Sequence, residues 1–247
     1  MARDVRELGG AWARHQRHAS ATPSADLARY VARYWIVSWE YAEPYRQLIV
    51  PYPNVHLTLR GGRGTVTGVS SGHQVRVLAG VDRVFGVAFR PGCFRPFLGA
   101  PVSTLTDRSV EAGEIFPGDL PDPLDVPTVE EYLRRRLPEP DPRAEEVAEI
   151  VARIAADPGI SRVDALADDL GTSVRGLQRL FAEYVGVGPK WVIRRYRLRE
   201  VTERLGRGES VDWAALAAEL GYADQPHFVR DFRKMFGESP TRYAERY

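Results

Sequence analysis

Residues 163–189, VDALADDLGTSVRGLQRLFAEYVGVGP, and residues 211–240, VDWAALAAELGYADQPHFVRDFRKMFGESP, are two renderings of one pattern. Leu166, Ala167, Leu170 and Gly171 match Leu216, Ala217, Leu220 and Gly221 at an offset of 50. Leu177, Arg179, Phe181, Gly186 and Pro189 match Phe228, Arg230, Phe232, Gly237 and Pro240 at an offset of 51. The one-residue slip falls in the turn between the two halves of the pattern, where insertions are tolerated. Each copy reads as a helix ending in glycine, followed by a second helix with its own apolar face. Two copies of one helix–turn–helix unit explain the repeat.

The flanking segments complete a helical domain. Val147, Ile150, Val151 and Ile154 fall at i, i+3, i+4 and i+7, an amphipathic helix stopped by Asp157-Pro158-Gly159. Thr172-Ser173 offers a cap for the second helix of the first unit. Pro189 suits the first turn of a helix running to about Leu205. That helix has Val192, Ile193 and Tyr196 on one side and Trp191, Leu198, Val201 and Leu205 on the other. A surface helix has one apolar stripe, so a helix with two lies between two cores.

A helix–turn–helix unit sets its second helix in the major groove of DNA. The first copy offers Ser173, Arg175, Gln178 and Arg179 there; the second offers Gln225, His227, Arg230, Arg233 and Lys234. Arginine pairs two acceptors of guanine, and glutamine pairs the adenine edge. Serine and lysine more often meet phosphate. Arg230 has a rival role, tied to a structural carboxylate. From Arg175 to Arg199 the basic residues are Arg175, Arg179, Lys190, Arg194, Arg195, Arg197 and Arg199, against Glu183 alone, which predicts one basic face. A bridging helix of about 16 residues spans roughly 24 Å. With the bundle widths, that length predicts two reading helices about one duplex turn apart, near 34 Å.

The stretch Leu216-Ala217…Leu220-Gly221-Tyr222-Ala223-Asp224-Gln225-Pro226-His227-Phe228-Val229-Arg230-Asp231-Phe232-Arg233-Lys234-Met235-Phe236-Gly237-Glu238-Ser239-Pro240-Thr241-Arg242-Tyr243 resembles the C-terminal signature of AraC/XylS-type transcription regulators. The resemblance covers about residues 145–247. It implies a paired helix–turn–helix domain joined by a long helix. Its base-reading positions fall on Arg175, Gln178 and Arg179 in the first unit and on Gln225, Pro226, His227 and Arg230 in the second. Gly176 departs from the pattern and weakens the first reading helix. On this reading residues 141–247 suffice for DNA binding.

The N-terminal half is of another kind. Short runs at 34–39, 47–50, 56–59, 65–69, 74–78 and 84–89 read as strands separated by Pro or Gly signals, and residues 6–33 read as helical. Seven prolines between Pro117 and Pro142 mark a linker with a short helix at about 128–137. The expected organisation is an α+β domain over 1–116, built on a small antiparallel sheet or barrel with helices. A proline-rich linker follows over 117–143, then an all-α domain over 144–247 with two helix–turn–helix units joined by a long helix. Gly86 to Phe94, Leu98-Gly99 and Leu105 to Arg108 are similar to a poorly characterised N-terminal domain often fused to this DNA-binding module. Regulators of the family usually carry a sensor or oligomerisation domain here.

Tyr30, Tyr34, Trp35 and Trp39 cluster in ten residues, and strand alternation sets Trp35, Val37 and Trp39 on one face. They form either sheet core or the wall of an effector cavity. The candidate ligand contacts are Trp35, Trp39, His56, Phe89 and Arg90. Cys93 is either a buried inert thiol or an oxidant sensor beside Arg90 and Arg95.

Composition narrows the remaining classes. The 247 residues are 44% hydrophobic and 27% charged, with net charge +1 and one cysteine. That composition is ordinary for a globular protein, and one cysteine allows neither an internal disulfide nor a cysteine-rich zinc site. His15 and His18 lack a carboxylate or cysteine partner, so no metal, cofactor or catalytic residue is expected. No phosphate-cradling loop or nucleophile elbow occurs. No apolar run approaches the ~18–20 residues of a membrane helix, and the N-terminus lacks a signal-peptide core.

The expected protein is a cytoplasmic, sequence-specific DNA-binding transcription regulator. Double-stranded DNA is its partner, RNA polymerase and a small-molecule effector are further candidates, and a homodimer is compatible with it. The alternative is a small-molecule-binding or enzymatic N-terminal domain with DNA binding secondary.

Overall fold

A computed structural model of the protein describes residues 15–206 and 211–245, with residues 203–206 by backbone alone. Two long strands organise its N-terminal half. The strands are β1 (Gln16–Ala21), β2 (Val31–Ile49), β3 (His56–Arg60), β4 (Arg63–Thr67), β5 (Gln74–Phe89) and β6 (Ser109–Glu111). They form one sheet in the order β1-β2-β5-β3-β4-β6, every neighbour antiparallel.

The sheet joins runs that sequence reading separates. Residues 34–39 and 47–50 fall largely within β2. Between them Ala42, Glu43 and Pro44 stand against the single Ala79 of β5. Proline cannot donate to a ladder, and a bulge is where a strand tolerates it. Residues 74–78 and 84–89 likewise join in β5 through Gly80, whose φ of +63° suits glycine. The helix expected over 6–33 lies outside the described residues up to 14. Beyond them, residues 16–21 are the edge strand β1. It is mostly exposed and shows no apolar alternation, so pairing with β2 (Gln16↔Trp39 to Ala21↔Tyr34) defines it.

One sheet face is the core. Tyr34, Leu57, Leu59, Val66, Phe85, Val87 and Phe89 point into it. It is closed by α1 (Arg95–Leu98), by the 3₁₀ turns Val102–Leu105 and Ala112–Glu114, and by α2 (Val126–Arg134). Asp125 caps α2 by accepting from the Thr128 N–H at 2.9 Å. Val129, Tyr132 and Leu133 of α2 are buried against the sheet. Cys93 is 1% exposed, and burial pushes its thiol up to about 11. A thiol-exchange reagent at about pH 8 is therefore expected to leave Cys93 unmodified until the chain is unfolded in denaturant. Rapid labelling of the native chain would contradict this burial.

The C-terminal helices are α3 (Pro142–Ala156), α4 (Val163–Asp169), α5 (Val174–Tyr184), α6 (Pro189–Gly206), α7 (Trp213–Glu219), α8 (Gln225–Phe236) and α9 (Pro240–Ala244). They build two cores on either side of α6. Val192 and Ile193 join α3, α4 and α5 in one; Leu198 and Val201 join α7, α8 and α9 in the other; Trp191 touches both. The Leu205 side chain lies outside the described residues. The sheet half contributes to both cores, Val69 to the first and Leu48 and Val50 to the second.

Candidate nucleic-acid interface

The repeat is built twice with the same bonds. In the first unit the Thr172 N–H donates to the Ala167 carbonyl at 2.9 Å and the Gly171 N–H to the Asp168 carbonyl at 3.0 Å. In the second, fifty residues on, Tyr222 and Gly221 donate to Ala217 and Ala218 at the same two distances. Gly171 and Gly221 take φ of +62° and +72°, the left-handed turn that glycine permits at a helix end. The following helices start on side-chain caps. Ser173 Oγ accepts from the Gly176 N–H at 3.0 Å, and Asp224 Oδ1 from the His227 N–H at 2.6 Å.

Each second helix buries one face and turns the other out. Leu177 and Phe181 of α5, and Phe228, Phe232, Met235 and Phe236 of α8, are buried. Ser173, Arg175, Gln178 and Arg179 are exposed on the first unit, as are Gln225, Pro226, Arg230, Arg233 and Lys234 on the second. No ion pair holds Arg179 or Arg230 among the described residues, so neither guanidinium is committed to a structural carboxylate. His227 is half-buried, with Nε2 3.3 Å from Arg194 Nη2. Arg194 of α6 reaches Asp231 of α8 at 2.5 Å and lies 4.9 Å over the Tyr222 ring. This knot fixes α8 against the bridging helix. The β4–β5 loop packs on the far end of α8, where the His73 N–H donates to the Lys234 carbonyl at 3.0 Å.

The basic face expected from Arg175 to Arg199 does not extend along α6. Arg195 and Arg197 are 0% and 2% exposed. Arg195 Nε donates to the Pro51 carbonyl, and its guanidinium lies 4.0 Å over the Tyr52 ring. Arg197 binds Glu200 and the carbonyls of Ile154 and Asp157 at the end of α3. Successive residues turn by about 100° in a helix, so a run of arginines wraps the axis instead of lining one side.

The second sheet face is hollow. A row Ser20–Trp35–Gly86–Thr58–Thr65 crosses five strands there. A Cβ on Gly86 would fall 1.9 Å from the Trp35 indole, so the absent side chain is the seat of that ring. Trp35 Nε1 donates to His56 Nδ1 at 3.3 Å, and Trp39 Nε1 to the Ala79 carbonyl at 3.3 Å. The cavity has a volume of about 1100 Å³. It gathers Trp35, Trp39 and His56 of the expected ligand contacts. Phe89 and Arg90 lie elsewhere: Phe89 is in the core, 4.7 Å from the Phe94 ring, and Arg90 Nη1 donates to the Arg29 carbonyl. Sequence reading missed the cavity's arginines, although Arg33 shares the alternation of Trp35, Val37 and Trp39. Among the described residues no group of His, Cys, Asp or Glu could hold a metal ion, and no helix is long and apolar enough to cross a membrane.

Two family models match the chain. One, described as a helix-turn-helix domain, covers residues 166–246, and the other, described as a domain of unknown function (DUF6597), covers residues 19–111. The HTH-type transcriptional activator RhaS of Pectobacterium atrosepticum is 32% identical over 75 residues, 30% of this chain and 26% of that protein. PqrA of Proteus vulgaris, named as a probable transcription factor, is 29% identical over 84 residues, 34% of this chain and 68% of that protein. The chain thus spans about a quarter of the length of RhaS. Among solved structures, an AraC-type regulator from Chromobacterium violaceum aligns at 27% identity and a TM-score of 0.34, over 40% of this chain and 88% of that one. Through the doubled unit at its C-terminus, with the signature from Leu216 to Tyr243, the chain is similar to helix-turn-helix transcription regulators over about a third of its length.

Proposed function

We propose that the chain is a sequence-specific DNA-binding transcription regulator, and that an effector in the cavity of its sheet domain controls it. The observation that carries the first part is the identical construction of the two units. Each turns a capped helix bearing arginine and glutamine toward solvent, and a single helix shared by both cores holds them. Arg175, Gln178, Arg179, Gln225 and Arg230 are the base readers, with His227 held at the edge by Arg194. Ser173, Arg233 and Lys234 suit phosphate contacts. Two readers on one chain grip one face of the duplex without requiring a second copy. Recruitment of RNA polymerase, pairing into a homodimer and a cytoplasmic setting are compatible with this role.

The test is selection of bound duplexes from fragmented genomic DNA by the full chain. The retained fragments are expected to converge on a bipartite motif with half-sites about 10–10.5 base pairs apart. Affinity should fall steeply with salt while the preference for the motif persists. Retention of fragments with no shared motif would reject sequence-specific reading.

A further inference from the structure

Among the described residues five arginines line the cavity: Arg33, Arg60, Arg63, Arg76 and, from the bridging helix α6, Arg199. Asp82 is the one acidic side chain in the lining among the described residues. It is already engaged, with Arg60 Nε and Nη2 each 2.7 Å from its Oδ2. Arg76 stands on β5 across from Gln47 of β2. Burial, and then the charge of Arg60, pull its guanidinium below the ordinary arginine value. A half-buried guanidinium beside another, with no carboxylate against it among the described residues, costs free energy that a bound anion would offset.

The wall also carries an apolar patch. Trp35, Val37, Trp39, Leu78 and Val84 face the same space, and Trp39 lies 5.0 Å beneath the Arg60 guanidinium. A bare inorganic ion would leave this wall wet. About 1100 Å³ is at or above the usual size of a site for an organic ligand.

We propose that the cavity binds an organic anion, its charged head against Arg76 and its apolar or aromatic body on Trp35 and Trp39, and that Arg199 carries occupancy to the helix between the two readers. The coupling rests on the regulator reading above; the binding of the anion does not. Arg199 lies on the helix whose Arg195 and Arg197 anchor it to the Pro51–Tyr52 segment and to α3, so an anion drawn to Arg199 bears on the element that positions both units.

The test uses two dyes on the full chain. 8-Anilinonaphthalene-1-sulfonate and N-phenyl-1-naphthylamine share a ring system, and only the first carries an anionic group. The sulfonate is expected to bind with one equivalent and at least about tenfold tighter than the neutral dye. Arg76→Gln should remove about tenfold of the sulfonate's affinity and leave the neutral dye within about twofold, and Arg76→Lys should restore part of the loss. Equal binding of the two dyes to the unsubstituted chain overturns the proposal without any variant. So does an Arg76→Gln chain that holds the sulfonate as before. Separately, anisotropy of a labelled selected duplex is followed with and without saturating sulfonate. Its affinity should change about threefold or more, and Arg199→Gln should abolish the change. A duplex that binds but ignores the dye overturns the coupling. A chain that discriminates the dyes as stated and binds no selected duplex sustains the anion site and refutes the regulator reading instead.

Discussion

Replacing Arg197 by alanine is expected to cost about 3–5 kcal/mol of folding stability, the cost of removing one partner from a buried charged cluster. The side chain is 2% exposed. Its Nη2 donates to the carbonyls of Ile154 and Asp157, and Nη1 pairs with Glu200. These carbonyls end α3, where helix geometry leaves acceptors without intrahelical donors and the macrodipole favours a cation. Alanine would strand the Ile154 carbonyl, leave the Asp157 carbonyl with the Ile160 N–H alone and remove the partner of the half-buried Glu200 carboxylate, around a void the size of the lost side chain. At about 2–4 °C per kcal/mol for a chain of this length, the melting temperature should fall by roughly 6–20 °C. Thermal unfolding followed by circular dichroism measures it. Arg197→Lys should recover only a fraction, since an ammonium is a point charge without the planar fork. A loss under about 1 kcal/mol for Arg197→Ala would mean that water replaces the clamp.

The largest functional effect is expected from replacing Arg179 and Arg230 together by alanine. Both are exposed, so stability should stay within about 0.5 kcal/mol. Each base-reading arginine contributes about 1–3 kcal/mol. They belong to units with separate cores, so the losses should add to about 2–6 kcal/mol, or roughly thirtyfold to twenty-thousandfold in affinity. Anisotropy on a selected duplex at fixed salt measures the loss. Repeating the selection should show degeneracy at one position in each half-site. Arg233→Ala, by contrast, should weaken all duplexes alike and reduce the salt slope by about one. If the doubly substituted chain selects the same motif as before, these two residues do not read bases.

The repeat was legible because its punctuation is chemical. Gly171, Gly186, Gly221 and Gly237 all take positive φ, and each occurs where a helix ends. The double apolar face of α6 was legible for the same reason that it exists: Val192 and Leu198 belong to different cores. The strand positions were legible but their continuity was not, since Pro44 and Gly80 look like breaks when pairing across the sheet absorbs them. Edge strand β1 was hidden because its register comes from β2 and its own side chains show no pattern. The site readings divided in the same way. Polar residues on α5 and α8 followed from helical period, and the structure turns them outward. The basic run on α6 misled because counting charge along a sequence ignores the turn per residue, which sends Arg195 and Arg197 to nearly opposite sides. The cavity arginines come from β2, β3, β4, β5 and α6, a convergence that sheet order alone produces.

Leu48 and Val50 complete the apolar interior around α8, and Val69 completes the one around α5. A fragment cut at residue 141 would therefore keep its reading residues yet wear two uncovered oily patches, and would tend to self-associate. The same holds for chimaeras: grafting this reader beneath a foreign sensor succeeds only if the donor brings equivalents of those three side chains, so modularity in sequence does not grant exchangeability in space.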